Sequence, residues 1–478
     1  MNFFSAFNPA MNQVPFPSTR RAWLRHTSAG FGAMALHGLL HAASNPLAVR
    51  APLLPPKAKR VIFLFMAGGP SQMDLFDPKP LIQQRHGKSV DAPLPEQHRH
   101  ESTKGLLALG TDIPVRPRGQ SGVTISDLLP HTAAIADDLC LLRAVHADNN
   151  QHGPAALQIH TGAIAEARPS LGSWVSYGLG TENQNLPAFL TIHPGIDTRN
   201  YSASFLPAAH QGTPVTISSK ASDPSIAFLT DPTTDAASQQ RRFDFIQRMN
   251  GRLLAQHQAD ARMEGMIHSL ETAFRMQTAT PDLIDFSKET EATKKLYGIG
   301  EKTTDKNGRA CLLARRLSEA GVRFVQVTMD GWDHHGDIRG SLPKSCAASD
   351  LPCAGLILDL KSRGLLEETL VVWSGEFGRT PWSQDLSRTA PIEKHGREHQ
   401  PESFCAWMAG GGVKGGFTHG ETDEFGFRPI SGKVHLHDLH ATILHLLGLD
   451  HLQLTWRHLG RDFRLTDVYG EVVKEILA

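Results

Sequence analysis

Cysteine is scarce in this chain. Five are spread over 478 residues (Cys140, Cys311, Cys346, Cys353 and Cys405), and no Cys-x-x-Cys pair occurs. That pattern argues against a zinc ribbon or a thioredoxin-like motif. Cys346 and Cys353 suit either a bridge across a short loop in an oxidising compartment or two free thiols. Net charge is lacking as well. Lys+Arg and Asp+Glu both number 48, so no overall basic field exists to hold nucleic acid. Beyond the N-terminal region no apolar run reaches the length of a bilayer crossing, so no membrane span is expected in the mature chain. No repeat period is visible.

Apolar residues make up 40% of the chain and charged ones 20%, which predicts a packed core. The length suits one large α/β domain with insertions or two ordinary domains. Histidine is plentiful at 25, and it gathers at His334 with His335, His395 with His399, and His435, His437 and His440. Imidazole is the commonest transition-metal ligand, so these groupings bear on chemistry.

Arg20-Arg21 precede the apolar Trp23-Leu24, a Gly- and Ala-rich stretch over 28–40, and small residues around 41–44. This is the layout of a signal peptide, here of twin-arginine type over residues 1–45. The alternative is an amphipathic tail. Export would deliver a folded, metal-loaded protein to the periplasm or beyond, with the twin-arginine export machinery as a partner.

The run Val61-Ile62-Phe63-Leu64-Phe65-Met66 is apolar without alternation and ends at Gly68-Gly69-Pro70. It predicts a central strand buried on both faces. Further strands are expected at 138–145, 188–192, 322–329, 369–374 and 405–410, with helices clearest at 241–274 and 311–320. Alternating strands and helices predict an α/β fold: a doubly wound, mostly parallel sheet with helices on both faces. It would occupy 55–478, with a polar excursion at 83–122 and a helical insertion around 230–310.

Ligands of open α/β sheets bind outside the carboxyl ends of the strands. Polar groups cluster in the loops predicted there. Asp74 and Asp77 follow the Gly68-Gly69 turn, with Asp74 a candidate metal ligand or a helix cap. Asp330-Gly331-Trp332-Asp333-His334-His335 packs carboxylates and imidazoles of ligand type into one loop, anchored by an indole that favours burial. Glu376 is a candidate ligand, and Arg379 a candidate clamp on a tetrahedral oxyanion. His399 stands where a loop enters the next strand. His152 begins a predicted helix whose N–H groups favour an anion. The late group His435, His437 and His440 recurs with apolar residues at helical spacing and reads as a packing helix.

Taken in order, these segments resemble the DUF1501 family, exported proteins related to alkaline phosphatases and sulfatases. The matching stretches are the paired arginines, Gly68-Gly69-Pro70-Ser71 with Asp74 and Asp77-Pro78-Lys79-Pro80, Gly331-Trp332-Asp333 with His335, Glu376-Phe377-Gly378-Arg379-Thr380-Pro381, and Gly396-Arg397-Glu398-His399. The glycines at 410–412 and 415–416, with Thr422-Asp423-Glu424, also match. The resemblance implies an alkaline-phosphatase-like sheet with one or two divalent metal ions at its carboxyl edge. Zinc, manganese, iron and calcium are not distinguished. Asp333 or Asp330, His335 or His334, and His399 would hold one ion; Asp74 and Glu376 would serve a second. Arg379 or Arg397 would steady the transferred group. His152 stands where those enzymes carry Cys or Ser, so it is nucleophile or ligand, or else water activated on the metal attacks directly. The activity implied is hydrolysis of sulfate or phosphate esters of a small molecule or glycan. A non-catalytic binding or scaffold protein on the same fold is the alternative, and isomerase or mutase chemistry a third reading.

Overall fold

The apolar run at 61–66 forms β1 (Arg60–Met66), the middle of a nine-stranded sheet. A computed structural model describes residues 46–89, 106–217, 235–256, 271, 281–385 and 389–478. The expected signal segment, 1–45, lies outside the described residues.

The remaining strands needed to place the site are β2 (Leu139–His146), β3 (Phe189–Ile192), β4 (Thr213–Val215), β5 (Phe324–Met329), β6 (Thr369–Ser374), β7 (Gly378–Gln384), β8 (Gly396–Gln400), β9 (Phe404–Ala409), β10 (Phe417–His419) and β11 (Val434–His435). The sheet runs β10-β2-β9-β6-β1-β5-β3-β4, and β11 pairs with β2 further along the edge that β10 uses. Every pairing is parallel except those of β9, which is antiparallel to both β2 and β6. β7 and β8 form a separate antiparallel ribbon.

The helices that matter are α1 (Gln72–Leu75), α2 (His152–Thr161), α3 (Leu171–Leu179), α4 (Asp305–Glu319), α5 (Ile338–Ser362) and α6 (Leu436–Leu446). They cover both faces of the sheet. Side chains on a strand alternate. On β1, Ile62, Leu64 and Met66 enter one core with Leu313 of α4 and Ile357 of α5. Val61, Phe63 and Phe65 enter the other with Trp174 of α3 and Ile443 of α6. Both faces are dry, which is why the sequence shows no alternation. Each fully buried Val, Leu, Ile or Phe contributes about 1.5–3 kcal/mol.

Three expectations change. The helix expected at 241–274 runs Ala236–Gln256, and most of the rest of that segment lies outside the described residues. The excursion at 83–122 is described in part, and pairs Val115–Arg118 with Val123–Ser126 as a hairpin. A Cys346–Cys353 bridge is ruled out. Both cysteines lie on α5. Seven residues of helix advance about 10 Å, beyond the ~4.4–6.8 Å between Cα atoms that a disulfide needs. All five cysteines are free and buried. No helix among the described residues is long and apolar enough to cross a membrane.

Candidate metal centre

The strand register brings the polar loops together. Met66 lies beside Met329, and Phe65 beside Ser374, so β1, β5 and β6 end at one level. β2 runs the same way and delivers Asn150 and the start of α2 to that edge. Because β9 is reversed, its first residue lies there too, and β8, just before it, supplies His399. The β1 turn needs glycine: Gly68 has φ 117°, and a Cβ there would fall 2.4 Å from the backbone nitrogen of Asp333.

Asp333 is the hub. Its Oδ1 lies 2.9 Å from His335 Nε2 and 3.3 Å from His399 Nε2, and its Oδ2 lies 3.3 Å from His152 Nε2. Each histidine is held from behind by an oxygen that can only accept. His152 Nδ1–H donates to Glu376 Oε1 at 2.7 Å, His399 Nδ1–H to the Asn150 carbonyl at 2.7 Å, and His335 Nδ1–H to Gln384 Oε1. In its neutral form each imidazole, with its proton held on Nδ1, would turn an Nε2 lone pair towards Asp333 and any ion there; with no ion present, an Nε2–H faces the carboxylate instead. The ligand-type atoms of His152, Asp333, His335 and His399 lie within 4.8 Å of one another.

This donor set fits a metal ion. Four ligands at ~2.1 Å in a tetrahedron lie about 3.4 Å apart, close to the O–N separations above. His152 Nε2 is buried without an aligned hydrogen bond, although Asp333 is near. Far-side acceptors on every imidazole are the arrangement by which proteins fix ligating histidines. Asp333 keeps 44% of its side chain exposed, so the group is reachable from solvent.

The charges are interdependent. Burial opposes ionisation of Asp333, yet His152, His335, His399 and Arg379 hold its carboxyl well below the usual range. Burial also opposes a charge on His152, but its contacts with Asp333 and Glu376 outweigh that and push it up to about 9. Contact with Asp333 raises His335, whereas burial lowers His399. An imidazolium beside a carboxylate occupies the place where a cation would be stable.

Several expected site residues stand elsewhere. Asp74 is not in the four-donor group. α1 turns it onto Arg397, whose Nε and Nη2 donate to its carboxylate at 2.8 and 3.1 Å, while Ser71 Oγ donates at 2.5 Å. The other donors of Arg397 go to the carbonyls of Thr380 and Leu109. Arg379 is fully buried and spends its donors on the carbonyls of Gly68, Gly69 and Arg397 and on Asp333. Among its partners is Asp333, the central carboxylate of the site. Asp330 faces Lys306 at 3.5 Å; Gly331, at φ 96°, turns the chain between it and Asp333. His334 points at Ser345 Oγ, 3.1 Å away. Glu376 is not one of the four donors. It accepts from Gly68 N at 3.0 and 3.1 Å and orients His152. Gln384 was not foreseen. It reaches His335 through the β7–β8 ribbon, a long-range pairing with no local signal.

A cavity of about 520 Å³ opens beside this group, with His152, Asp333 and Glu376 in its wall. The group of four donors thus stands at the carboxyl edge of a mixed, mostly parallel sheet, next to a cavity, where open α/β sheets bind their ligands.

The chain belongs to the DUF1501 family: the family model, described as a protein of unknown function, matches residues 58–477. No curated protein matches the sequence. Similar solved structures include the lipoteichoic acid synthase LtaP from Listeria monocytogenes, at 9% identity over 91% of this chain and 81% of that one, with a TM-score of 0.37. The PsFucS1 sulfatase from Pseudoalteromonas sp. is 11% identical over 82% of this chain and 68% of its own, with a TM-score of 0.34. Alkaline phosphatase from the Antarctic bacterium TAB5 is 10% identical over 82% and 98%, with a TM-score of 0.30.

Proposed function

We propose that this chain is an exported, metal-dependent hydrolase of sulfate or phosphate esters of a small molecule or glycan. The observation that carries the reading is the convergence of three Nε2 atoms on Asp333, each imidazole anchored at Nδ1 by an oxygen acceptor. His152, Asp333, His335 and His399 would hold one ion. Three imidazoles with one carboxylate suit zinc, manganese or iron; calcium prefers six to eight oxygens. When bound, such an ion supplies a Lewis acid for the ester oxygen and lowers the pKa of water.

The chain's own groups do the rest. Glu376 keeps the His152 proton on Nδ1, so that Nε2 faces the ion. Gln384 and the Asn150 carbonyl do the same for His335 and His399. Arg379 fixes Asp333 and the β1 turn. At the start of α2 the chain offers an imidazole, not a hydroxyl or thiol. The reading is therefore direct attack by water on sulfur or phosphorus, with departure of the alcohol and no covalent enzyme intermediate. The paired arginines at 20 and 21 support export by the twin-arginine route, to the periplasm or beyond.

The deciding experiment is elemental analysis of protein exported and purified without chelator, beside a His335→Ala, His399→Ala double variant. One equivalent of a transition metal in the native protein and none in the variant is expected, with turnover of p-nitrophenyl sulfate or phosphate following the metal. A metal-free native protein would instead favour the binding or scaffold reading.

A further inference from the structure

One face of the sheet changes character towards its carboxyl edge. On β5, Phe324 packs into the second core, but the next two residues on that face are Gln326 and Thr328, each 3% exposed. A dry sheet face has no packing reason to carry an amide and a hydroxyl there. Both line the 520 Å³ cavity beside the four-donor group, together with His160 and Asn200. Thr328 Oγ1, His160 Nε2 and Asn200 Oδ1 have no hydrogen-bond partner among the described residues. Three such atoms on one cavity wide enough for a ligand are atoms whose bonding a ligand could complete.

The chemistry of the wall selects the ligand. His160 is 2% exposed, lies edge-on to Phe65, and its Nδ1–H donates to the Ala156 carbonyl at 2.6 Å. Its Nε2 thus offers a lone pair. Burial pushes this imidazole down to about 4, so it is neutral at pH 7. Asp197, Asp330 and Glu376 line the same cavity and add further acceptor oxygens, their charges met by Arg199, Lys306 and His152. Acceptors outnumber donors, which favours a group rich in O–H.

We propose that this cavity is the subsite for a neutral, hydroxyl-rich group, a sugar or comparable polyol, held by Gln326, Thr328, His160 and Asn200. Its placing as the alcohol side of a cleaved ester rests on the hydrolase reading; the binding itself does not.

The test is saturation-transfer NMR on the full chain with glucose, galactose, fucose and glycerol, and with ethanolamine as the amine control. Thr328→Val and Gln326→Leu remove the polar atoms at near-constant shape. Binding of at least one sugar is expected, at least tenfold weaker in either variant, with Tm and metal content unchanged. No sugar binding, equal binding in both variants, or binding of ethanolamine alone would overturn the proposal. Turnover of p-nitrophenyl esters, whose leaving group lacks a sugar, separates the two claims. Turnover without sugar binding removes the subsite and keeps the hydrolase; sugar binding without metal or turnover does the reverse.

Discussion

Arg379 Nη2 lies 2.5 Å from Asp333 Oδ1, joining a fully buried guanidinium to a carboxylate that is partly open to solvent. The same guanidinium caps the carbonyls of Gly68, Gly69 and Arg397, so one side chain ties the β1 turn and β8 to the central carboxylate of the site. Arg379→Lys keeps the charge but loses the fork. An ammonium cannot satisfy all these acceptors, and each buried one left bare costs about 1–3 kcal/mol. Metal affinity should fall about 10–100-fold, as for other losses of support around a metal site. Urea melts and competitive chelation would measure the two effects. Unchanged metal affinity would refute the positioning role.

Asp74 and Arg397 make a different prediction. Both are buried, and burial opposes ionisation of Asp74, but Arg397 holds its carboxyl below the usual range. Asp74→Asn would leave the guanidinium unpaired, at a cost of about 3–5 kcal/mol. Metal stoichiometry in the folded fraction should not change. A lost equivalent of metal would restore Asp74 as a ligand.

Glu376, expected at a second ion, and Asp330, expected as the alternative to Asp333, stand apart. Glu376→Gln removes the charge behind His152, so metal affinity should drop about 10–100-fold. Asp330→Asn should change it less than twofold, because that carboxylate faces Lys306 at the surface. Isothermal titration with zinc would rank them; the reverse order would contradict the arrangement described.

Acid should destabilise the protein well before its carboxylates titrate. Burial pushes His160 and His437 down to about 4, and His210 and His440 to about 3. Unfolded histidines take up protons below pH ~6.5. Between there and pH 4 the unfolded chain binds more protons than the folded one, so stability falls as pH falls. Each histidine contributes at most ~1.4 kcal/mol per pH unit. Urea midpoints of the chelated protein should decline from pH 7 to pH 5; a flat profile would exclude this account.

The sheet and the chemistry-bearing loops were legible because their causes are local. Six apolar residues without alternation at 61–66, ended by Gly68-Gly69-Pro70, read as a strand buried on both faces, and the strands expected at 138–145, 188–192, 322–329, 369–374 and 405–410 all join the same sheet. The run from Asp330 to His335 announced its ligand types, and His152 and His399 were singled out. The reversed direction of β9 was not legible, since strand polarity is a property of pairing.

Residue types and spacing thus determined the layered α/β fold, the edge that carries the chemistry, and the kind of donors found there. Only the tertiary structure decided which donors meet. Asp74 and Arg397 are 323 residues apart in sequence, yet they pair with each other, outside the group of four donors. Gln384 supports His335 across a ribbon, and a glycine turn separates Asp330 from Asp333. The polar floor of Gln326 and Thr328 looked like ordinary strand until packing showed it facing a cavity. A ligand needs a direction within about 0.5 Å of its target, and such precision comes from contacts between distant segments, which no local pattern encodes.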